Sequence, residues 1–319
     1  MPADDRVADD GLTEWIHQVR AANQPSCESV GVTALREAQR ARVAARPEGP
    51  PVHTVEDLRA GGIPVRLYRP GPGPRPVVLY AHGGGFVLGD LDSHDSTCRR
   101  LAVLADAVVV AVDFRRAPEH PGPAAVEDVC AVHRWASRDA GLSGDDSPAG
   151  LAGDSSGAAI AVLAAARLAA AGERSSALLL AYPNADLTLS SASVHGKGAG
   201  WGLDAGDLAW FVQQWVPDPA RRRDPAVSPL HADLTGLPPT LVATAEHDPL
   251  RDEGLLLVDR LRTAGVAVEH EPGPGLAHGY LGLGHLSPAA ARAGKQLFAR
   301  FGRLLRQPVS ERAGTPEGR

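Results

Sequence analysis

The chain has 319 residues, a formal net charge of −6, a sequence pI of about 6.0, 44% hydrophobic and 22% charged residues; this is the composition of one large or two ordinary globular domains and excludes a basic nucleic-acid surface. MPADDRVADD at the start has neither a basic n-region nor an apolar h-region, and no run approaches the ~18 apolar residues of a membrane span, so a cytoplasmic protein with no membrane insertion is expected. Cys27, Cys98 and Cys130 are odd in number and lack C-x-x-C spacing, and the twelve histidines show no H-E-x-x-H, so free thiols in a reducing compartment and no metal site are expected.

Residues 1–45 read as amphipathic helix, with Leu12, Trp15, Ile16, Val19, Val30, Val32 and Leu35 as apolar positions. HTVEDLRAGGIPVRLYRP at 53–70 predicts two strands around Gly61-Gly62. PVVLYA at 76–81 and AVVVAV at 107–112 are continuous apolar runs, as in strands buried on both faces. AAVEDVCAVHRWASRDAG predicts a helix closed by Gly141. A short strand over 149–152 runs into an Ala-rich helix over 155–171. ALLLAY at 177–182, TLVATA at 240–245 and VAVEHEP at 266–272 are further strands, with helices over 251–264 and 286–306. Apolar runs alternating with helices predict an α/β fold: a mostly parallel central sheet with helices on both faces.

Residues 186–235 break this rhythm and hold Trp201, Trp210, Phe211 and Trp215. Two readings stand side by side: a cap over a binding cleft, or aromatic glue between the insertion and the sheet. Arg221, Arg222 and Arg223, set between Asp-Pro pairs, read as a solvated loop. There are no internal repeats, and the Pro- and Gly-rich tail from Gln307 is expected to fray.

The chemistry starts at LAGDSSGAAIAVLAAA, residues 151–166, where Gly153 and Gly157 bracket Ser155 as G-x-S-x-G. Between a strand and a helix, this is the form of a nucleophile elbow. By itself it could equally be a helix start capped by Asp154 or Ser155. YAHGGGFVLGD at 80–90 is more specific: His82-Gly83-Gly84-Gly85 ends a buried strand, and such glycines can aim backbone N–H groups at an oxyanion, completed by the N–H of Ser156. The other reading is a flexible glycine loop. A serine nucleophile needs a base and an orienting carboxylate, in chain order Ser, Asp or Glu, His. Asp248 ends the strand at 240–245, and His278 lies on the loop between the last strand and the last helix. His82, His120, His195 and His285 are further histidines, but the order favours His278. In EHDPLRDEG, Asp248 could instead be an N-cap before Pro249, with Asp252 and Glu253 as first-turn acids.

With these residues in hand, the chain resembles the hormone-sensitive-lipase-like (family IV) carboxylesterases and lipases of the α/β-hydrolase superfamily. HGGGF at 82–86 and GDSSG at 153–157 carry the resemblance, supported by DFRRAPEHPGPAAVEDV at 113–129, LTGLPP at 234–239 and DPLRDEG at 248–254. It spans about residues 55 to 305 and implies an α/β-hydrolase fold with a helical cap. It implies Ser155, Asp248 and His278 as catalytic triad, and Gly83, Gly84, Gly85 and Ser156 as oxyanion hole. The expected organisation is an N-terminal cap segment 1–50, a core 51–185, a cap insertion 186–216, a second core part 217–306 and a flexible tail 307–319. Phe86, Trp210, Phe211 and Tyr280 are the expected substrate pocket.

The chain departs from the family pattern at Ser156 (usually Ala), Ala158 (Gly), Phe114 (Tyr), Arg116 (Leu) and Tyr280 (Phe), none of which removes a catalytic group. The expected activity is hydrolysis of small to medium esters, short acyl chains preferred, with no cofactor; the partner is a small ester molecule. The alternatives are a same-triad amide hydrolase, lyase or cyclase acting on a specialised metabolite, and a non-catalytic small-molecule receptor. The strand at 266–272 could act as a homodimer edge.

Overall fold

A computed structural model describes residues 6–22, 24–139, 142 and 147–307. Gly141, expected to close a helix, and residues 308–319 of the expected tail lie outside them.

Eight strands form one sheet: β1 (Thr54–Ala60), β2 (Ile63–Arg69), β3 (Val77–Ala81), β4 (Val108–Val112), β5 (Gly150–Asp154), β6 (Leu178–Ala181), β7 (Thr240–Ala243) and β8 (Val268–Glu271). Their order is β1-β2-β4-β3-β5-β6-β7-β8. β2 pairs antiparallel with both its neighbours, and every pair from β4 to β8 is parallel. Strands β3 to β7 are buried throughout, because helices cover both faces; that is why they read as unbroken apolar runs.

Side chains alternate between two cores, as a pleated strand requires. Val77, Leu79 and Ala81 enter one, and Val78 and Tyr80 the other. The first core packs under α5 (Ala124–Ala136), α6 (Ser156–Ala170) and α9 (Arg251–Thr263); the second under α4 (Asp95–Ala105) and α10 (Pro288–Leu305). This is the α/β-hydrolase arrangement expected from the sequence.

The N-terminal segment forms α1 (Asp10–Ala21), α2 (Cys27–Val30) and α3 (Val32–Ala44), and the insertion forms α7 (Ala192–Lys197) and α8 (Ala205–Trp215). These segments meet. Asp207 accepts the Cys27 N–H at 2.7 Å, Arg20 Nε donates to Gly200 O at 3.0 Å, and a Cβ at Gly202 would run into the Trp15 ring. Trp201 stacks on His247 with ring centroids 4.0 Å apart, and the Arg20 guanidinium lies 4.7 Å from the Trp201 ring. No helix among the described residues is long and apolar enough to cross a membrane.

Candidate active site

The elbow forms because three backbones crowd one turn. β5 ends at Asp154, Ser155 takes φ 53° and ψ −123°, and α6 starts at Ser156. A non-glycine residue at positive φ is strained, and here the strain lifts Ser155 off the end of the sheet. The flanking glycines are demanded by close approach: a Cβ on Gly153 would meet the Gly157 carbonyl, and one on Gly157 would meet Ala81 O. Ser155 N–H still bonds Ala181 O at 2.9 Å, so the turn hangs from the sheet rather than from a mobile loop.

The loops after β7 and β8 bring the partners in. They keep pairing beyond the strands: Glu246 N–H to Gly273 O at 3.0 Å, His247 N–H to Leu276 O at 2.8 Å, and a parallel bridge between His247 and Ala277. The next residues are Asp248 and His278. His278 Nδ1 lies 2.8 Å from Asp248 Oδ2, and His278 Nε2 lies 2.9 Å from Ser155 Oγ. The network assigns the proton to Nδ1, because the carboxylate only accepts; Nε2 then accepts from the serine hydroxyl. Asp248 is fully buried, and its Oδ1 takes the Leu250 N–H at 2.8 Å, so the carboxylate is held at both oxygens.

Asp252 points elsewhere, accepting Ser193 N–H at 2.9 Å and pairing with Arg251 at 2.8 Å. Glu253 is buried and accepts the Ala185 N–H at 2.6 Å; burial pushes its carboxyl well up. Of the other histidines, His120, His195 and His285 are exposed away from Ser155. His82 is buried against Phe114, with ring centroids 4.3 Å apart, and its Nδ1–H donates to Gly83 O at 2.9 Å. Burial pushes the His82 imidazole down to about 3, with nearby His94 adding to the effect.

The glycine loop is a built structure. Gly84 and Gly85 have φ of 126° and 62°, and a Cβ at Gly85 would run into the Phe211 ring. The N–H groups of Gly84, Gly85 and Ser156 meet no acceptor among the described residues. Gly83 corrects the sequence reading: its N–H is committed to Asp154 Oδ1 at 2.9 Å and is turned away from an oxyanion. Asp154 also accepts the Tyr80 hydroxyl at 2.7 Å and lies 3.4 Å from His94 Nε2. Burial would push its carboxyl up, but the charge of His94 and hydrogen bonds from His94, Tyr80 and Gly83 outweigh that and hold it down to about 2.

A cavity of about 300 Å³ opens over Ser155, bordered by His278, Gly84 and Gly85. Phe86 and Phe211 line it as expected. Trp210 does not: it sits one position along α8 and packs edge-on behind Phe211, at 5.2 Å between ring centroids. Tyr280 does not either. It is buried behind Tyr182, with ring centroids 5.2 Å apart, and Tyr182 is the ring that borders the cavity. Sequence reading missed Tyr182, Asn184 and His94. Tyr182 and Asn184 were legible as the first residues past a buried strand, where open α/β sheets place their ligands. A roomier cavity of about 580 Å³ adjoins through Arg46 and Thr97 but holds none of Ser155, Asp248 and His278.

The comparisons with known proteins agree with this fold. Residues 78–282 match a family model described as alpha/beta hydrolase fold. The chain is 42% identical over 252 residues to the carboxylesterase NlhH of Mycobacterium tuberculosis, covering 76% of this chain and 79% of that one. It is 40% identical over 233 residues to an ethyl acetate hydrolase of Pseudomonas putida, covering 70% and 73%. Among solved structures, a hyperthermophilic esterase from the archaeon Pyrobaculum calidifontis superposes with a TM-score of 0.86 at 37% identity, covering 93% of this chain and 99% of that chain.

Proposed function

From the premise that this chain belongs to the α/β-hydrolase fold family, in its hormone-sensitive-lipase-like branch, we infer that it is a carboxylic ester hydrolase that cleaves short-chain esters through an acyl-enzyme on Ser155. The unbroken run of contacts from Asp248 through His278 to Ser155, ending in a cavity, is the observation that carries this reading.

In the first half-reaction Ser155 Oγ attacks the ester carbonyl carbon as its proton passes to His278 Nε2. Asp248 holds Nδ1–H in place and stabilises the imidazolium. Negative charge gathers on the former carbonyl oxygen, which the N–H groups of Gly84, Gly85 and Ser156 receive, each worth roughly 3–4 kcal/mol in systems of this kind. His278 returns the proton to the leaving alcohol, and water attacks the acyl-enzyme by the same route. Gly83 acts one step removed: its bond to Asp154 sets where Gly84 and Gly85 point.

Residues 1–50 and 186–216 form the cap in this reading. The cross-contacts of Arg20, Trp15 and Asp207, and the place of Gln39 and Phe211 on the cavity wall, support it. The cytoplasmic placement is supported by Cys27, Cys98 and Cys130 all being free thiols.

Labelling with a fluorophosphonate tests the reaction class. The expected result is one equivalent of label on the parent protein and none on Ser155→Ala, together with acid release from aryl acetate and butyrate by the parent alone. An unlabelled parent that releases no acid from these esters would overturn the reading.

A further inference from the structure

Two side chains beside the nucleophile have no hydrogen-bond partner among the described residues. Asn184 is 2% exposed, and neither its Oδ1 nor its Nδ2 has a hydrogen-bond partner among the described residues. Ser156 is 1% exposed, and its Oγ has none either. Both residues border the cavity over Ser155. Buried polar groups in folded proteins are nearly always satisfied, and an unsatisfied one is destabilising. An alanine at 156 and an apolar residue at 184 would remove that penalty without disturbing the backbone bonds there, including the Asn184 N–H to Ser155 O at 3.2 Å.

Their place on the fold says which part of an ester they would meet. The leaving alcohol must lie near His278, which returns its proton, and His278 packs edge-on against Tyr182 on the α4 and α10 side of the sheet. Ser156 opens α6, which packs in the other core, and Asn184 leads into Ala185 and Leu187, which belong to that core together with Phe86 and Phe211. The acyl group therefore extends past Ser156 and Asn184. An amide offers both a donor and an acceptor, and a serine hydroxyl can do either. Such a pair suits a hydroxyl or a carbonyl oxygen close to the ester carbon.

We propose that Asn184 and Ser156 form a polar acyl subsite, and that the preferred substrates are esters of short hydroxy- or oxo-acids rather than of plain fatty acids. This rests on the ester-hydrolase reading above and adds the substrate class. A site built to hydrogen-bond a substituent discriminates against the analogue lacking it, because its own polar groups are then left unpaired.

The test compares kcat/KM for ethyl butyrate, ethyl 3-hydroxybutyrate and ethyl 3-oxobutyrate by acid release at constant pH. The parent enzyme is expected to favour at least one polar ester over ethyl butyrate by about tenfold or more. Asn184→Leu, close in size and without the amide, should bring that ratio toward one, and Ser156→Ala should lower it by a smaller factor. The ratio within each variant is the readout, since a poorly folded preparation lowers all three rates together. A parent ratio near one, or a ratio that survives Asn184→Leu, would overturn the proposal. If Asn184→Leu does not fold, the parent ratio and Ser156→Ala still decide it. No acid from any of the three esters would overturn the ester-hydrolase reading itself, and this subsite with it.

Discussion

Asp154 Oδ1 lies 2.9 Å from the amide nitrogen of Gly83, so one buried carboxylate ties the glycine loop to the residue that precedes the nucleophile. The same oxygen takes the Tyr80 hydroxyl at 2.7 Å. Loop and elbow are thereby set against each other by a single side chain.

Asp154→Ala leaves the Gly83 N–H and Tyr80 hydroxyl buried without partners. Stability should fall by several kcal/mol, and kcat by about 10²-fold as the loop shifts relative to Ser155, with KM changing less. Thermal melting and steady-state kinetics read the two effects apart. A variant that is destabilised yet keeps parental kcat would show that the loop holds its position without Asp154.

Stability should fall with acid in two steps. Unfolded His82 binds a proton below about 6.5, whereas folded His82 does so only below about 3. Between those values unfolding takes up a proton, so this group costs nothing above about pH 6.5 and progressively more as pH falls, reaching a few kcal/mol. Asp154 adds to this lower down: its contribution is present above 3.8 and is lost as pH falls through about 2. In urea unfolding, His82→Asn should show a shallower loss of stability than the parent between pH 7 and pH 5. Parallel curves would rule His82 out as the group responsible.

Asp248→Asn should lower kcat by roughly 10⁴-fold with the fold retained, because an amide at that place favours the wrong tautomer of His278. Asp252→Asn loses the bond to Ser193 N–H and the pairing with Arg251, and should leave kcat within a small factor. Circular dichroism must show both folded. If the Asp252 variant proves to be the inactive one, the orienting carboxylate has been misassigned.

Phe211 closes the cavity against the glycine loop, since its ring occupies the space a Gly85 side chain would need. The parent should hydrolyse aryl acetate and butyrate faster than aryl laurate. Phe211→Ala should move the optimum toward longer acyl chains, while Trp210→Ala, one residue away but off the cavity, should not. Equal shifts in both variants would place the chain-length limit elsewhere.

The eight strands, most of the helices beside them (α4, Asp95–Ala105, was not among those expected) and the grouping of Ser155, Asp248 and His278 were legible in the sequence for a local reason. Buried parallel strands write themselves as unbroken apolar runs, and an elbow or an oxyanion loop needs glycines at set offsets from the residue it serves. Because the reacting groups stand at strand ends, chain order along the sheet already brought them to one edge. Tertiary structure decided whatever depended on where a side chain points once distant elements pack. Trp210 and Phe211 are neighbours in sequence, yet α8 turns one to the cavity and the other behind it. Tyr182, not Tyr280, borders the cavity, because the loop after β8 folds in behind it. Gly83 looked like an oxyanion donor equal to the next two glycines until Asp154, 71 residues away, took its N–H. Asn184 was marked in the sequence only by its place just past a buried strand. It became visible only when packing buried it beside Ser155 and left its amide without a partner.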